Sequence, residues 1–245
     1  MGVAGRAVER EAGLGTTNPR DGGVATARLQ LDAATPGLPL SESVFRALRT
    51  ALRAGDLKPG DRLREEDVAR QLNVSRTPVR EAFGRLTIKR FVEPASGRGL
   101  VVRSLGTPEV LELYAMREIL EGAAAALAAR HASEPEIDAL RDLEAAFEAK
   151  SGDSREMAKQ NRMFHETIFH AARNRYLNDA LEDLQDAIAL LGATTFTVAQ
   201  RPKTAAREHR EIIAAIAKRD AGAAEEAARA HIREAFRARL QLLSA

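Results

Sequence analysis

The apolar positions keep helical time from the start of the fifth decade. Val44, Ala47, Leu48, Ala51 and Leu52 recur at three- and four-residue steps, and Gly55 ends the run. Ser41 is the expected N-cap of this helix. Leu57-Lys58-Pro59-Gly60-Asp61-Arg62-Leu63 then reads as a turn and a very short extended piece. A second helix is predicted over Glu65–Leu72, with Val68, Ala69 and Leu72 facing inward, and Asn73-Val74 makes a tight turn after it. Next comes a helix over 75–89. Its apolar face is narrow: Val79, Ala82, Phe83 and Leu86. Thr77, Arg80 and Gly84 lie on the opposite side, flanked by Arg76 and Arg85. Ser75 and Thr77 are both N-cap types, and Pro78 suits a first turn, where its missing N–H would be unpaired anyway. Beyond it the period shortens. Phe91-Val92-Glu93-Pro94 and Leu100-Val101-Val102 are two extended runs about Gly97-Arg98-Gly99, which predicts a β-hairpin.

From Thr107 onward the pattern is helical throughout. Thr107-Pro108-Glu109 opens a helix to His131. Ser133-Glu134-Pro135-Glu136 is a capping box that opens one to about Lys150. Asp153 to Glu156 repeats the cap, starting a third helix to about Arg173, which Asn174 breaks. Leu177–Leu191 is a fourth, Pro202–Lys218 a fifth, and Asp220 caps a sixth to about Leu243. Six helices with short links predict an antiparallel bundle. Residues 1–38 show no sustained apolar period and are rich in Gly, Ala, Arg and Thr. They are expected to be a disordered tail, either a passive leader or a weak DNA-binding aid through Arg6, Arg10, Arg20 and Arg28. The fold class is therefore mainly α: a tail over 1–38, a small α-plus-hairpin domain over 39–104 and an all-α bundle over 105–245.

Charge separates the two folded parts. Residues 41–104 carry 14 Lys and Arg against 8 Asp and Glu, net +6, whereas residues 105–245 carry 19 against 23, net −4. A basic head on an acidic body suits binding of a polyanion by the head. Two helices joined by a short turn, the second with exposed arginines, make a helix-turn-helix suited to the DNA major groove. Arg98, at the glycine-rich hairpin tip, is a candidate contact to phosphate or minor groove. The chain has no Cys, so it has neither disulfides nor thiolate metal ligands. The N-terminus lacks the apolar core of a signal peptide, and the longest aliphatic stretch, around Ala123–Ala129, is too short to span a bilayer. A cytoplasmic location with no membrane partner is expected.

Three histidines sit on apolar faces of three helices. His165 shares a face with Asn161 and Phe169, His209 with Ile212, Ile213 and Ile216, and His231 with Ala227, Ala228 and Ala235. Each reads on its own as a hydrogen-bonded core histidine. Together with Asn161 they also read as N and O ligands converging on a divalent ion. Both readings stand at this point. An enzyme is the runner-up: a metal-dependent helical bundle with a basic accessory domain. The stretch His165-Glu166 to His170 fails the zincin spacing, since five residues turn the helix by about 140°. There is no glycine-rich phosphate loop and no placed acid–base pair, so no catalytic residue is assigned.

The motif "LKPGDRLREEDVARQLNVSRTPVREAFGRL" followed by "GRG" resembles the winged helix-turn-helix of GntR-type bacterial transcription regulators over residues 41–104. The resemblance implies that Arg76, Thr77, Arg80 and the wing tip at Gly97 contact the operator; Arg64, Ser75 and Arg98 complete the candidate DNA-binding set. Family members usually have Gly where this chain has Arg90, in a left-handed cap that would cost a non-glycine residue about 1 kcal/mol. Gly84 inside the helix costs a similar ~1 kcal/mol unless a close backbone approach offsets it. The body resembles the FCD ligand-binding domain of the FadR subgroup in "LYAMREILEGAAAALAARHA", "NRMFHETIFHAARNRYL" and "EHREIIAAI…D…A…HIREA". This resemblance implies a divalent metal of the zinc, nickel or manganese class at Asn161, His165, His209 and His231. It also implies coordination positions left open to a small organic acid effector. Asn161 stands where the family usually has Asp, and a neutral amide oxygen predicts weaker metal binding. Arg117 and Asn174 occupy family motif positions and are candidates for the effector pocket; a surface salt bridge and a helix cap are their alternatives. The expected protein is a homodimeric repressor that binds a palindromic operator in double-stranded DNA and is controlled by an organic acid.

Overall fold

The computed structural model describes residues 29–31 and 37–244; the tail arginines Arg6, Arg10, Arg20 and Arg28 lie outside these. The head contains α1 (Leu40–Ala54), β1 (Arg62–Leu63), α2 (Glu65–Leu72), α3 (Arg76–Ile88), β2 (Val92–Pro94) and β3 (Leu100–Val102). The strands form an antiparallel sheet in the order β1-β3-β2, with Arg62 opposite Val101 and Glu93 also opposite Val101 across the central strand. Gly99 makes this sheet possible. A Cβ there would stand 2.5 Å from the Leu63 carbonyl oxygen, and its φ of +100° also favours glycine. Gly55 and Asn73 end α1 and α2 in left-handed caps, as a helix C-terminus requires when the chain turns sharply.

Three local expectations change. The N-cap of α1 is Pro39, not Ser41, because extended Pro39 already supplies the non-helical entry and Ser41 lies inside the first turn. Ser75 does take the N-cap position of α3, but its side chain makes no capping bond. Part of the tail is packed. Leu29 is buried in the head's core, in one cluster with Val44, Leu48, Phe83 and Leu86, and Leu31 packs on the same cluster. Burying those leucines outweighs the polarity of their neighbours. Arg90 adopts the left-handed conformation, φ +58°, that its position demands.

The body is the bundle α4 (Thr107–His131), α5 (Glu134–Ala149), α6 (Ser154–Ala171), α7 (Arg175–Ala189), α8 (Arg201–Ala217) and α9 (Ala221–Leu243). A 3-10 turn at Thr195–Thr197, not foreseen in the pattern, links α7 to α8. Small residues of α4, Ala124, Ala125 and Ala128, pack in one core with Ala224 and Ala228 of α9, the close approach that alanine faces permit. Phe164, Ile168, Ile212 and Ile216 complete that core. Asp153, Asn174 and Asp220 cap α6, α7 and α9 through their side chains.

Head and body meet where α1 lies on α7. Asp186 of α7 accepts from Arg49 Nε at 2.8 Å and from Arg53 Nε at 2.5 Å. Lys89 pairs with Asp183 at 2.6 Å, and Arg155 pairs with Asp56. Leu190, at the end of α7, is buried in the head's own core.

Candidate functional site

Two sites emerge, one on each part. On the head, Arg64, Arg76, Arg80 and Arg98 line one groove of about 850 Å³ between α3 and the wing, with Gly84 and Gly99 in its wall. Helical periodicity explains the grouping. Val79, Ala82, Phe83 and Leu86 are buried, which leaves Arg76, Arg80 and Gly84 on the free face. No atom of another described residue outside its own helical backbone comes within 4 Å of a Cβ placed on Gly84, so the missing side chain leaves that stretch of the groove open. Ser75, Thr77 and Gly97 are exposed on the same head but do not line the groove. Glu65 bridges the arginines: Arg80 donates to it through Nε at 3.1 Å and Nη2 at 3.0 Å, and Arg76 through Nη2 at 3.1 Å. Its bonds to Arg80 and then Arg76 hold the Glu65 carboxyl below the usual range. The guanidinium groups are thus held close together on the exposed face.

In the body, α6, α8 and α9 bring His165, His209 and His231 together. Their ligating nitrogens lie within 4.8 Å of one another, and all three residues are buried. His165 Nε2 and His231 Nε2 are 3.2 Å apart, and His209 Nε2 is 3.1 Å from Asn161 Oδ1. Phe164 stacks on His209 at 4.3 Å between centroids, with Phe147 edge-on at 5.0 Å. Burial, then the neighbouring His231 and His165, push the His209 pKa well below its ordinary value; burial and His165 do the same to His231. These two imidazoles are neutral at pH 7.

Two carboxylates that the sequence pattern did not single out stand against the rings. Glu121 Oε2 is 2.8 Å from His165 Nδ1, and Glu208 Oε2 is 2.8 Å from His231 Nδ1. Each carboxylate is balanced by a buried arginine, Arg117 at 2.8 Å from Glu121 and Arg201 at 2.7 Å from Glu208. Burial disfavours the charged form of Glu121, but Arg117 and His165 outweigh it and hold the carboxyl down at about 2. Burial raises Glu208 against the pull of Arg201. The Glu208 carboxylate hydrogen-bonded to Nδ1 of His231 fixes the proton there and turns that ring's Nε2 lone pair inward, whereas Glu121 meets His165 Nδ1 by proximity of charge alone. Two imidazole nitrogens sharing a tetrahedral ion at about 2.0–2.1 Å would stand roughly 3.3 Å apart, close to the observed spacing. His209 Nδ1 is buried without a partner among the described residues. Three inward imidazoles and one amide oxygen suit a divalent ion with a preference for N and O donors. The sequence signal for the carboxylates was present but weak: Glu121 lies four residues after Arg117, and Glu208 directly precedes His209.

Asn161, His165 and His231 face a cavity of about 530 Å³, with Arg117 and Arg201 beside them; His209 stands behind this wall. Leu52–Gly55 and Lys58 of the head also line the cavity. Arg117 therefore lines the cavity and makes its salt bridge inside it. Asn174 does not line it. It is exposed, and its Oδ1 accepts from the Leu177 N–H at 3.2 Å, so its polar group is spent on capping α7. His170 is exposed, with Nδ1 2.7 Å from the Glu166 carbonyl, and takes no part in the cluster.

Comparison with known proteins agrees with both halves. Residues 40–102 match "Bacterial regulatory proteins, gntR family" and residues 112–234 match "FCD domain". The chain is 31% identical over 190 residues to the uncharacterised HTH-type transcriptional regulator YdhC of Bacillus subtilis, covering 76% of this chain and 85% of that one. It is 29% identical over 203 residues to the HTH-type transcriptional repressor RspR of Escherichia coli, covering 81% and 88%. The solved structure of E. coli McbR/YncC superposes with a TM-score of 0.76 at 24% identity, over 84% of this chain and 99% of that one, a likeness of fold. The family and these relatives are regulators, not enzymes, and no helix among the described residues is long and apolar enough to cross a membrane. A winged head with its arginines on one face, an all-helical body and both domain matches lead to one conclusion: this chain belongs to the GntR family of DNA-binding transcriptional regulators and carries an FCD domain.

Proposed function

We propose that this regulator is a cytoplasmic homodimeric repressor whose grip on a palindromic operator is loosened by a small organic acid bound in the helical body. Arg76 and Arg80 read base edges from the major groove, Thr77 and Ser75 approach the backbone at the start of α3, and Arg64, Gly97 and Arg98 hold the flanking strand. Asn161, His165, His209 and His231 hold a divalent ion. When bound, such an ion supplies a Lewis-acidic position for an acid's carboxylate. Arg117 and Arg201 line the cavity around that position, each held there by its own carboxylate. The single observation that carries this reading is the meeting of three buried imidazoles, two of them lining a cavity that residues of the DNA-binding head also line. The name of RspR supports repression as the outcome. An effector that binds one head-to-body arrangement better than the other shifts the population and so the DNA affinity.

The test joins metal content to DNA binding. Elemental analysis of the wild type is expected to find one divalent ion per chain, and His209→Ala with His231→Ala to find none. Gel shifts on fragments upstream of the gene itself, repeated with candidate organic acids, are expected to show a retarded band that an acid releases. Unchanged metal content in the double variant, or a wild type that retards no fragment at low salt, would sink the proposal.

A further inference from the structure

The cavity's charged lining is lopsided: eight side chains are Arg or Lys, and the one acid is Glu156. Five of the eight cations meet a carboxylate, Lys159 that of Glu156 at 3.9 Å. Arg117 pairs with Glu121, Arg201 with Glu208, Arg53 with Asp186 and Arg155 with Asp56. Two arginines differ. Arg162, on α6, donates at 2.5 Å to the Arg53 carbonyl oxygen and has no carboxylate within ion-pair distance among the described residues. Arg239, on α9, is only 5% exposed, donates at 3.2 Å to the Leu191 carbonyl oxygen, and its Nε has no partner among the described residues. Arg239 is buried and Arg162 half-buried; a guanidinium withdrawn from water that meets only a backbone carbonyl lacks the anion that would offset its desolvation.

Both sit where a molecule on the histidines can reach them. Arg162 precedes His165 by three residues, so the two are neighbours on the surface of α6. Arg239 follows His231 by eight residues, about 12 Å along α9, and Ala235 between them lines the cavity without filling it. A guanidinium on its long stem shortens that span to the length of a small molecule. The two carbonyls they now touch are also informative. Arg53 lies in the last turn of α1, and Leu191 follows the end of α7, the two helices that join head to body.

We propose that the cavity takes a molecule with two anionic groups: one at the histidine cluster, the other, a carboxylate or a phosphate, between Arg162 and Arg239. The second group replaces the Arg53 and Leu191 carbonyls as their acceptor and so acts on the junction between head and body. This rests on the acid-binding reading above and adds the ligand's second charge and the residues that meet it. A monocarboxylate fills only the histidine end.

The experiment is calorimetric titration of the metal-loaded full-length chain with butyrate, succinate, glutarate, adipate and 3-phosphoglycerate. At least one two-headed acid is expected to bind ten-fold or more tightly than butyrate; the dicarboxylates against 3-phosphoglycerate decide which second group is preferred. Arg239→Ala and Arg162→Ala are expected to remove that preference while leaving butyrate within about two-fold. Arg239→Lys, which keeps the charge and loses the fork, should retain part of it and guards against a folding defect, with unliganded melting curves as the control. If butyrate binds as tightly as every two-headed acid, or if both alanine variants keep the preference, this inference is overturned and the acid-binding reading stands. If no acid of the panel binds at all, both fall.

Discussion

Arg53 Nε lies 2.5 Å from Asp186 Oδ1, so the DNA-binding head and the helical body share one buried carboxylate. Arg49 reaches the same group at 2.8 Å. Asp186 is therefore the polar centre of an interface whose apolar part is Leu190 in the head's core. Removing it leaves Arg53 without a counter-charge and Arg49 with only the exposed Glu182. Asp186→Ala is expected to destabilise the chain by about 2–3 kcal/mol, less than a fully buried pair because both arginines are partly exposed. Urea unfolding should show it, and a cycle with Arg49→Ala should show coupling of about 1 kcal/mol or more. Additive losses would mean that the contact contributes nothing specific.

Arg80 stands on the free face of α3, fixed by two bonds to Glu65. If it reads a guanine through both donors, Arg80→Ala costs about 1–3 kcal/mol of operator affinity. Fluorescence anisotropy on the operator and on a scrambled duplex checks this. The loss should be large on the operator and small on the scrambled DNA. Equal losses on both would assign Arg80 to phosphate.

Glu208 holds His231 Nδ1 at 2.8 Å. Glu208→Gln keeps the shape but not the charge that makes the ring a better donor. Metal affinity, measured by competition with a chelator, is expected to fall about 10- to 100-fold. An unchanged affinity would remove Glu208 from any role at the ion.

His209 and His231 resist protonation in the fold, so their pKa lies well below the ordinary 6.5. Below about pH 6.5 the unfolded chain takes up protons there that the folded chain refuses. Stability therefore falls as pH drops from that point. Urea midpoints of the metal-free protein between pH 7.5 and 5 should decline, and His209→Phe should flatten the decline. A flat wild-type profile would contradict the neutral state assigned to these rings.

Arg90 occupies a left-handed cap at φ +58°. Its N–H donates to the Thr87 carbonyl and its own carbonyl accepts from Arg103, bonds a glycine would keep. Arg90→Gly is expected to stabilise the head by up to about 1 kcal/mol, read as a higher melting temperature. A lower one would show that the Arg90 side chain does more than point outward.

Local pattern carried much of this protein. The apolar steps of α1, α2 and α3, the Asp153 and Asp220 caps and the glycine-rich hairpin are decided by residues within a turn or two of one another. Their periods and breakers are therefore written in order along the chain. The same is true of Asn161 and His165, which one helix places on one face. Other features are decided between elements distant in sequence. Glu121 meets His165, Glu208 meets His231, and Arg53 meets Asp186, across helices whose rotation and offset come from how alanine and leucine faces pack. No spacing along the chain encodes those offsets. Leu29 joined the head's core for the same reason, whereas Asn174 took the helix-cap role that its local sequence had already offered. Sequence by itself determined which segments fold and which faces are apolar; only the packed structure decided which charges those faces bring together.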